Sequence, residues 1–209
     1  MTKGDEKKSA GSPAVFKRKL DGFLAPLLKL FVRLSVKPNA LTLFGVVLSI
    51  PAAFCLVHRQ WAAAAGWILA SGIFDVLDGA LARWSRASGV FGAFFDSTMD
   101  RISEAVVFLG FILVYTGMGD LTGAGLAFTV CFLSLLISYT RARAEGLGME
   151  NDRGWATRPV RVLLLAAGLL AGQPKAVLWI LAVLCLATVF QRIYHVFKTA
   201  ERVLKSKRK

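Results

Sequence analysis

The sequence predicts an all-α polytopic membrane protein with six transmembrane helices and an N-terminal interfacial amphipathic helix. Of its 209 residues, 56% are hydrophobic and only 19% are charged, which is too apolar for an ordinary soluble domain. The apolar residues form long runs, and a spanning helix needs about 20 of them. The candidate spans are 40–57, 61–83, 91–116, 121–141, 159–173 and 176–197.

The segments that flank these spans are predicted to lie at the membrane surface. Residues 1–19 are polar and basic, without the apolar core or cleavage site of a secretory signal, so we expect a disordered cytoplasmic tail. Residues 20–36 place apolar side chains on one side and basic ones on the other, which predicts a juxtamembrane amphipathic helix at the inner interface. The six-helix domain then covers 37–199, and 200–209 is predicted to be a basic cytoplasmic tail.

Positive charge is distributed by membrane side rather than as one dense patch. The formal net charge of +13 is compatible with nucleic-acid binding when considered alone. If the first span enters from the cytoplasm, however, only Arg59 and Lys175 of the 26 Lys and Arg residues fall in outer loops. By the positive-inside rule, both termini then face the cytoplasm. The sequence therefore favours a multi-pass inner-membrane protein in contact with membrane lipids and without a nucleic-acid partner.

Four aspartates lie within or at the ends of the second and third apolar segments, where each ionised acid costs about 2.5–3.5 kcal/mol to insert. Asp75 and Asp78 are three residues apart and Asp96 and Asp100 are four apart, so each pair lies on one helix face. The hairpin at 84–89 brings both pairs together near the inner membrane surface. Because all the ligands are oxygens, the site suits Mg²⁺ or Mn²⁺.

Other interpretations of these acids stay open. The acids could form buried salt bridges with Arg83, Arg86 and Arg101, which would be purely structural. An ion or lipid transporter also buries acids, but it predicts two similar halves with broken helices, whereas this sequence has one acidic hairpin. A non-catalytic lipid-binding scaffold is a further alternative, and it would tolerate loss of the aspartate pairs.

The acidic segment resembles the full signature of the CDP-alcohol phosphatidyltransferase family. It reads Asp75-x2-Asp78-Gly79-x2-Ala82-Arg83-x8-Gly92-x3-Asp96-x3-Asp100. The resemblance extends to the six helices, the interfacial helix and the start of the first span at 38–42. It implies transfer of a phosphatidyl group from a CDP-lipid such as CDP-diacylglycerol to a hydroxyl of a small polar alcohol, with release of CMP. It also implies a homodimer, for which small residues such as Gly110 or Gly117 to Gly125 could line a helix contact.

The resemblance assigns a role to each matching residue. It implies two Mg²⁺ or Mn²⁺ ions held by Asp75, Asp78, Asp96 and Asp100, with Asp100 also acting as the general base. The residues implied in binding the CDP-lipid are Asn39, Thr42, Asp75, Gly79, Arg83 and Gly89. No Ser, Cys or His nucleophile is indicated, so we predict direct transfer without a covalent intermediate.

Three arginines are candidates for binding the phosphate of a phosphorylated acceptor. Arg141 ends the fourth span, Arg158 precedes the fifth and Arg192 lies near the inner end of the sixth, so all three are expected on the cytoplasmic side. These segments resemble most closely the phosphatidylinositol phosphate synthases of the family, in which matching arginines contact the acceptor phosphate. Thr157 and Val160 stand where those enzymes usually carry acids, so glycerol 3-phosphate remains the alternative to inositol phosphate.

Overall fold

The structure, a computed structural model, describes residues 22, 24–85, 89–149, 151 and 153–207. Regular structure in this part of the chain is helical, which confirms the all-α prediction. The helices are α1 (Ala25–Arg33), α2 (Pro38–Val57), α3 (Trp61–Trp84), α4 (Val90–Gly117), α5 (Leu121–Glu145), α6 (Arg158–Leu170) and α7 (Pro174–Lys207). The predicted tail at 1–19, residues 20, 21 and 23 of the predicted amphipathic helix, Arg86, and residues 208 and 209 lie outside the described residues.

Helix α7 extends well beyond the apolar segment that predicted it. The predicted span ended at residue 197, whereas the helix continues to Lys207. The described part of the predicted C-terminal tail, 200–207, is therefore helical. An exposed ion pair between Glu201 and Lys205, at 2.7 Å, supports this last part of the helix.

Proline and aspartate side chains fix several helix starts. Pro38 and Pro159 lie in the first turns of α2 and α6, where a missing N–H removes no helical hydrogen bond. Asp120 caps α5 by accepting from the N–H of Gly123 at 3.0 Å. The Asp120 carboxylate also accepts from Lys175 Nζ at 2.6 Å, and this hydrogen bond holds the pKa of Asp120 below its ordinary value. The ion pair joins the α4–α5 turn to the start of α7.

Helices α2 to α7 pack in a closed ring, in the order α2, α4, α5, α7, α6, α3. The main core lies within this ring and includes the fully buried side chains of Leu56, Phe111, Leu169 and Leu178. Helix α1 packs against α3, where Leu28 belongs to a second, smaller apolar cluster. The ring therefore encloses the faces of α3 and α4 that carry the acids.

Within the described residues, four helices are long and apolar enough to cross a membrane: α2, α3, α5 and the Pro174–Arg202 part of α7. Helix α4 has 28 residues but carries several charged side chains. Helix α6 has only 13 residues, or about 20 Å of rise, against a hydrocarbon thickness of about 30 Å. Large apolar side chains such as Phe54, Phe128 and Phe190 are more than 60% exposed on the outside of the ring. This surface suits a bilayer, and the chain is a membrane protein.

Helices α2 and α4 approach each other closely at Gly110. A Cβ at this position would lie 2.8 Å from Cα of Ala53 and 3.0 Å from its carbonyl oxygen. Gly110 is buried inside the ring, so the suggestion that it lines a contact between subunits is wrong. The missing side chain serves packing within one chain.

We expect Gly110→Ala to lower the midpoint of thermal unfolding in detergent. The added methyl group would push apart two packed backbones, and such overpacking costs about 1–3 kcal/mol. Gly66→Ala is the matched control, because nothing lies within 4 Å of a Cβ there. Alanine is the better helix former by about 0.5–1 kcal/mol, so the control should be neutral or slightly stabilised. A stabilised Gly110→Ala variant would contradict the close approach.

Candidate active site

The two helices that carry the acids bring three of them together. Asp75 and Asp78 lie in the second half of α3, while Asp96 and Asp100 lie in the first half of α4. Asp75, Asp78 and Asp96 each offer a carboxylate oxygen, and these oxygens all lie within 4.8 Å of one another. Asp78 is only 3% exposed. The structure thus groups three of the four predicted metal ligands.

Two oxygens in this group lack hydrogen-bond partners. Asp78 Oδ2 and Asp96 Oδ1 are buried and accept no hydrogen bond within the described part of the chain. Leaving a buried acceptor unsatisfied costs about 1–3 kcal/mol, and more when it is charged. A divalent cation held between carboxylates would compensate this cost, and an all-oxygen donor set suits Mg²⁺ or Mn²⁺. The residues present therefore fit such an ion.

Asp100, the fourth predicted ligand, is held by two arginines. Its Oδ1 lies 2.9 Å from Nη1 of Arg158, which also forms an ion pair with Asp75. Its Oδ2 lies 3.2 Å from Nη2 of Arg101. Each oxygen of the carboxylate therefore contacts one guanidinium group, and the Asp100 side chain is only 14% exposed.

These contacts continue through two more side chains. Arg101 Nη1 lies 4.0 Å from Oε2 of Glu104, and Arg161 donates to Glu104 from Nε at 2.8 Å and from Nη2 at 3.0 Å. Six side chains of alternating sign now join α3, α6 and α4. We call them the ion-pair network: Asp75, Arg158, Asp100, Arg101, Glu104 and Arg161.

The ion-pair network matches three carboxylates with three guanidinium groups. Asp100 pairs with Arg101, one of the three arginines that the salt-bridge interpretation named. Asp78 and Asp96 are not members of the network. They are also the two acids with unpartnered oxygens, so pairing among the described residues does not account for them.

Two of the residues implied in CDP-lipid binding lie in α2, beside the acids. Thr42 lines the same small cavity as Asp78 and Asp100, and its hydroxyl donates to the Pro38 carbonyl at 3.2 Å. The side-chain oxygen of Asn39 lies 3.7 Å from where a Cβ at Gly92 would be, so it faces the first turn of α4.

The remaining implied CDP-lipid residues lie at the facing ends of α3 and α4. A Cβ at Gly79 would lie 3.3 Å from Nη1 of Arg83, so the guanidinium lies over the glycine backbone one turn before it. Gly89 is the N-cap of α4. These residues therefore border the acids on the side of the α3–α4 connection.

The three predicted acceptor arginines have different surroundings. Arg158 belongs to the ion-pair network. Arg141 is exposed and its Nε lies 2.7 Å from Glu145 Oε1, one turn along α5. Arg192 is only 5% exposed, and its guanidinium donates to the carbonyls of Arg153, at 2.8 Å, and of Ile137. Arg158 is thus the predicted acceptor arginine that directly contacts the acids.

An apolar groove of about 360 Å³ lies between α3 and α6. Asp75 and Arg158 line it together with apolar side chains that include Ile73 and Leu163. Ile73 and Leu163 are 58% and 61% exposed, so the groove opens on the outside of the ring. It connects the bilayer side of the protein with the acids.

Glu104 and a pair of serines were not among the predicted site residues. Ser71 donates to the Gly45 carbonyl at 2.8 Å and lies 3.3 Å from the Ser103 hydroxyl, which ties α2, α3 and α4 together. Glu104 is a further acid in the same apolar segment, four residues after Asp100. The helical spacing that identified the aspartates could therefore have identified Glu104 as well.

We expect Glu104→Gln to destabilise the folded protein. Arg161 is buried, and the amide would leave its guanidinium without a counter-charge; breaking such a pair costs about 3–5 kcal/mol. Glu201→Gln is the control, because its pair with Lys205 is exposed and such pairs contribute about 0–1 kcal/mol. Thermal unfolding in detergent measures both variants, and equal midpoints would count against the ion-pair network.

A family model and several named relatives match most of the chain. Residues 35–195 match the family model for CDP-alcohol phosphatidyltransferase. The phosphatidylinositol phosphate synthase of Mycobacteroides abscessus is 36% identical over 82% of this chain and 82% of its own length. The archaetidylinositol phosphate synthase of Methanothermobacter thermautotrophicus is 33% identical over 83% of this chain and 92% of its own length.

Solved structures agree with the sequence relatives. The crystal structure of Mycobacterium tuberculosis phosphatidylinositol phosphate synthase with CDP-DAG bound has a TM-score of 0.76 and 30% identity, covering 82% of this chain and 92% of that one. The same enzyme in complex with manganese and citrate gives 0.76 and 29%, with 82% and 88% covered. Because the family model and these relatives span most of its length, the chain belongs to the CDP-alcohol phosphatidyltransferase family.

Proposed function

We propose that the chain transfers a phosphatidyl group from CDP-diacylglycerol to a hydroxyl of inositol phosphate, releasing CMP, in phospholipid biosynthesis. The observation that carries the proposal is the group formed by Asp75, Asp78 and Asp96, in which two carboxylate oxygens have no hydrogen-bond partner within the described part of the chain. Asp100 lies beside this group and contacts two arginines. The names of the relatives support both the reaction and the acceptor.

The proposed cofactor is a pair of Mg²⁺ or Mn²⁺ ions. Asp75, Asp78 and Asp96 are the ligands that the geometry favours, and Asp100 completes the set by family resemblance. The related enzyme in complex with manganese supports this choice. Bound divalent cations would neutralise the pyrophosphate charge of the donor and stabilise the charge that develops on the reacting phosphate.

The proposed donor site combines the apolar groove with the cytoplasmic ends of α3 and α4. The groove gives an acyl chain access from the bilayer, and its Asp75 and Arg158 end leads to the acids. The nucleotide would then lie near Asn39, Thr42, Gly79, Arg83 and Gly89. The related structure with CDP-DAG bound supports this donor.

In the proposed reaction, Asp100 takes the proton of the acceptor hydroxyl. The acceptor oxygen forms a bond to the lipid-side phosphorus of the pyrophosphate, and the bond from that phosphorus to the bridging oxygen breaks, so CMP leaves. Arg158 and Arg101 each hold one oxygen of Asp100, which fixes the orientation of the base. Transfer is direct, without an intermediate attached to the protein.

The proposed acceptor phosphate binds to Arg158, Arg141 and Arg192. Guanidinium groups bind phosphate through paired hydrogen bonds, which suits this role. Because Arg158 already contacts Asp100, a phosphate held by Arg158 would place the acceptor hydroxyl close to its base. Glycerol 3-phosphate is the alternative acceptor, since Thr157 and Val160 differ from the usual inositol phosphate pattern.

We further propose that α2 to α7 all cross the inner membrane, with α1 lying at its cytoplasmic surface. Leu28 of α1 is buried against α2 and α3 while Lys29 and Arg33 are exposed, as an interfacial helix requires. The charged side chains of α4 face the inside of the ring, and so need not meet lipid. Both termini and the acids would then be cytoplasmic, and the family resemblance favours a homodimer.

The decisive assay is CMP release by the purified protein with CDP-diacylglycerol and Mg²⁺ or Mn²⁺. Inositol 3-phosphate, glycerol 3-phosphate, inositol and serine are compared as acceptors, and the lipid product is identified by mass spectrometry. Release that depends on inositol phosphate supports the proposal, and release with glycerol 3-phosphate alone supports the alternative acceptor. No release with any acceptor, from folded protein with either metal, would overturn the transfer reaction.

A further inference from the structure

A second cavity, separate from the acids, lies where the segment before α6 meets α7. Its volume is about 460 Å³. Tyr194, Lys198 and Arg202 line it at four-residue steps along α7, and His195 adds to the same face. Its lining includes none of the four aspartates and none of the predicted acceptor arginines. The cavity is therefore a site of its own.

The segment that completes this cavity is firmly held. Arg192 donates to the Arg153 carbonyl at 2.8 Å, and the N–H of Ala156 donates to the Thr188 hydroxyl at 3.0 Å. Gly154, between them, has φ +135°, and a Cβ there would lie 2.5 Å from Cγ2 of Thr188. Only glycine suits this bend. Arg153 and Trp155, on either side of Gly154, therefore line the cavity, and the backbone that carries them is held in place.

The cavity is positively charged. Arg153, Lys198 and Arg202 line it, and no carboxylate does so among the residues that the structure describes. Lys198 Nζ lies 4.7 Å from the ring centroid of Tyr194, a cation–π contact that places the ammonium group beside an exposed aromatic ring. Guanidinium and ammonium groups in one concave site suit a phosphate.

The position of the cavity along α7 points to a lipid phosphate. At 1.5 Å per residue, a helix that starts at Pro174 crosses a hydrocarbon layer of about 30 Å after about 20 residues. Tyr194 therefore lies at the boundary where lipid phosphates begin. Trp155 and Tyr194 line the cavity and are 64% and 57% exposed, and exposed Trp and Tyr favour this boundary.

We propose that this cavity binds the phosphate group of an anionic membrane phospholipid. The inference goes beyond the transfer reaction and rests only on the membrane placement given above. Positive charge that merely flanks a membrane span would not require a cavity, a firmly held segment and two aromatic rings in the same place. Phosphate chemistry is shared by lipid headgroups and soluble phosphate, so the test must separate these sources.

The test follows the thermal midpoint of the full-length protein in nonionic detergent during titration with phosphatidylglycerol, phosphatidylcholine or inorganic phosphate. A ligand that binds the folded state raises the midpoint. We expect phosphatidylglycerol to act at lower concentrations than phosphatidylcholine. We expect its apparent affinity to fall about 5-fold in Lys198→Gln and again about 5-fold when Arg202→Gln is added.

The matched control is Lys205→Gln. Lys205 lies about 10 Å further along the same helix than Lys198, pairs with Glu201 and does not line the cavity. Phosphatidylglycerol bound elsewhere, including among the aspartates, would be insensitive to Lys198 and Arg202. Equal affinity in all variants, or an equal loss in Lys205→Gln, overturns the proposal. Stabilisation by inorganic phosphate that displaces phosphatidylglycerol overturns the lipid source.

Discussion

Asp100→Asn is expected to remove nearly all transferase activity while leaving the protein folded. The amide keeps the shape of the side chain and its one oxygen can still accept the hydrogen bond from Arg101, but it cannot take up the acceptor proton. Loss of a general base lowers the rate by about 10²- to 10⁴-fold. CMP release at saturating acceptor measures the effect.

The control for Asp100→Asn changes a neighbouring side chain and leaves the carboxylate of Asp100 in place. Arg101→Lys keeps a positive charge next to Asp100 but loses the second arm that reaches Ser138. It should retain much more activity than Asp100→Asn, because the carboxylate remains. A fully active Asp100→Asn enzyme, with unfolding like that of the wild type, would remove Asp100 from the role of base.

Asp78→Asn is expected to change two properties in opposite directions. It removes a carboxylate from the three-acid group, so affinity for Mn²⁺ should fall by at least about 100-fold. It also removes a buried charge with an unpartnered oxygen, so the metal-free protein should be as stable as the wild type or more stable, by about 1–3 kcal/mol. Paramagnetic resonance of free Mn²⁺ and thermal unfolding in chelator measure the two effects.

Glu201→Gln serves as the control for both measurements, because it removes an exposed acid far along α7. It should change neither property noticeably. If Asp78→Asn binds Mn²⁺ as well as wild type does, the three-acid group is not the metal site. If instead the metal-free variant is strongly destabilised, Asp78 is a structural acid.

Local spacing in the sequence was sufficient to predict the helices and the grouping of the acids. The bounds of α2 to α5 lie within four residues of the predicted spans, because each is a predominantly apolar run that ends at polar or turn-forming residues. The ion-pair network could not be predicted from local spacing, because contacts such as that between Arg161 and Glu104 join residues that are 57 positions apart. Hydropathy also could not give the end of α7, where a polar helix continues beyond the apolar run.

The predicted acceptor arginines give a second example of what the sequence alone could not predict. Positive charge near the cytoplasmic ends of spans is expected of any membrane protein, so sequence alone could not separate Arg158 from Arg192. In the folded chain, Arg158 contacts two acids whereas Arg192 holds backbone carbonyls. Only the packing of α6 and α7 shows which of these arginines directly contacts the acids.

The ion-pair network also constrains how the protein is made. Because α3 and α4 emerge from the ribosome before α6, Asp75, Asp100 and Glu104 reach the bilayer before their partners Arg158 and Arg161. With 13 residues and two arginines, α6 is a poor substrate for insertion by hydrophobicity alone. If α6 crosses the membrane as proposed, its entry is favoured by the carboxylates that are already present on α3 and α4. A nascent chain halted before α6 would hold Asp75 without Arg158 and Glu104 without Arg161.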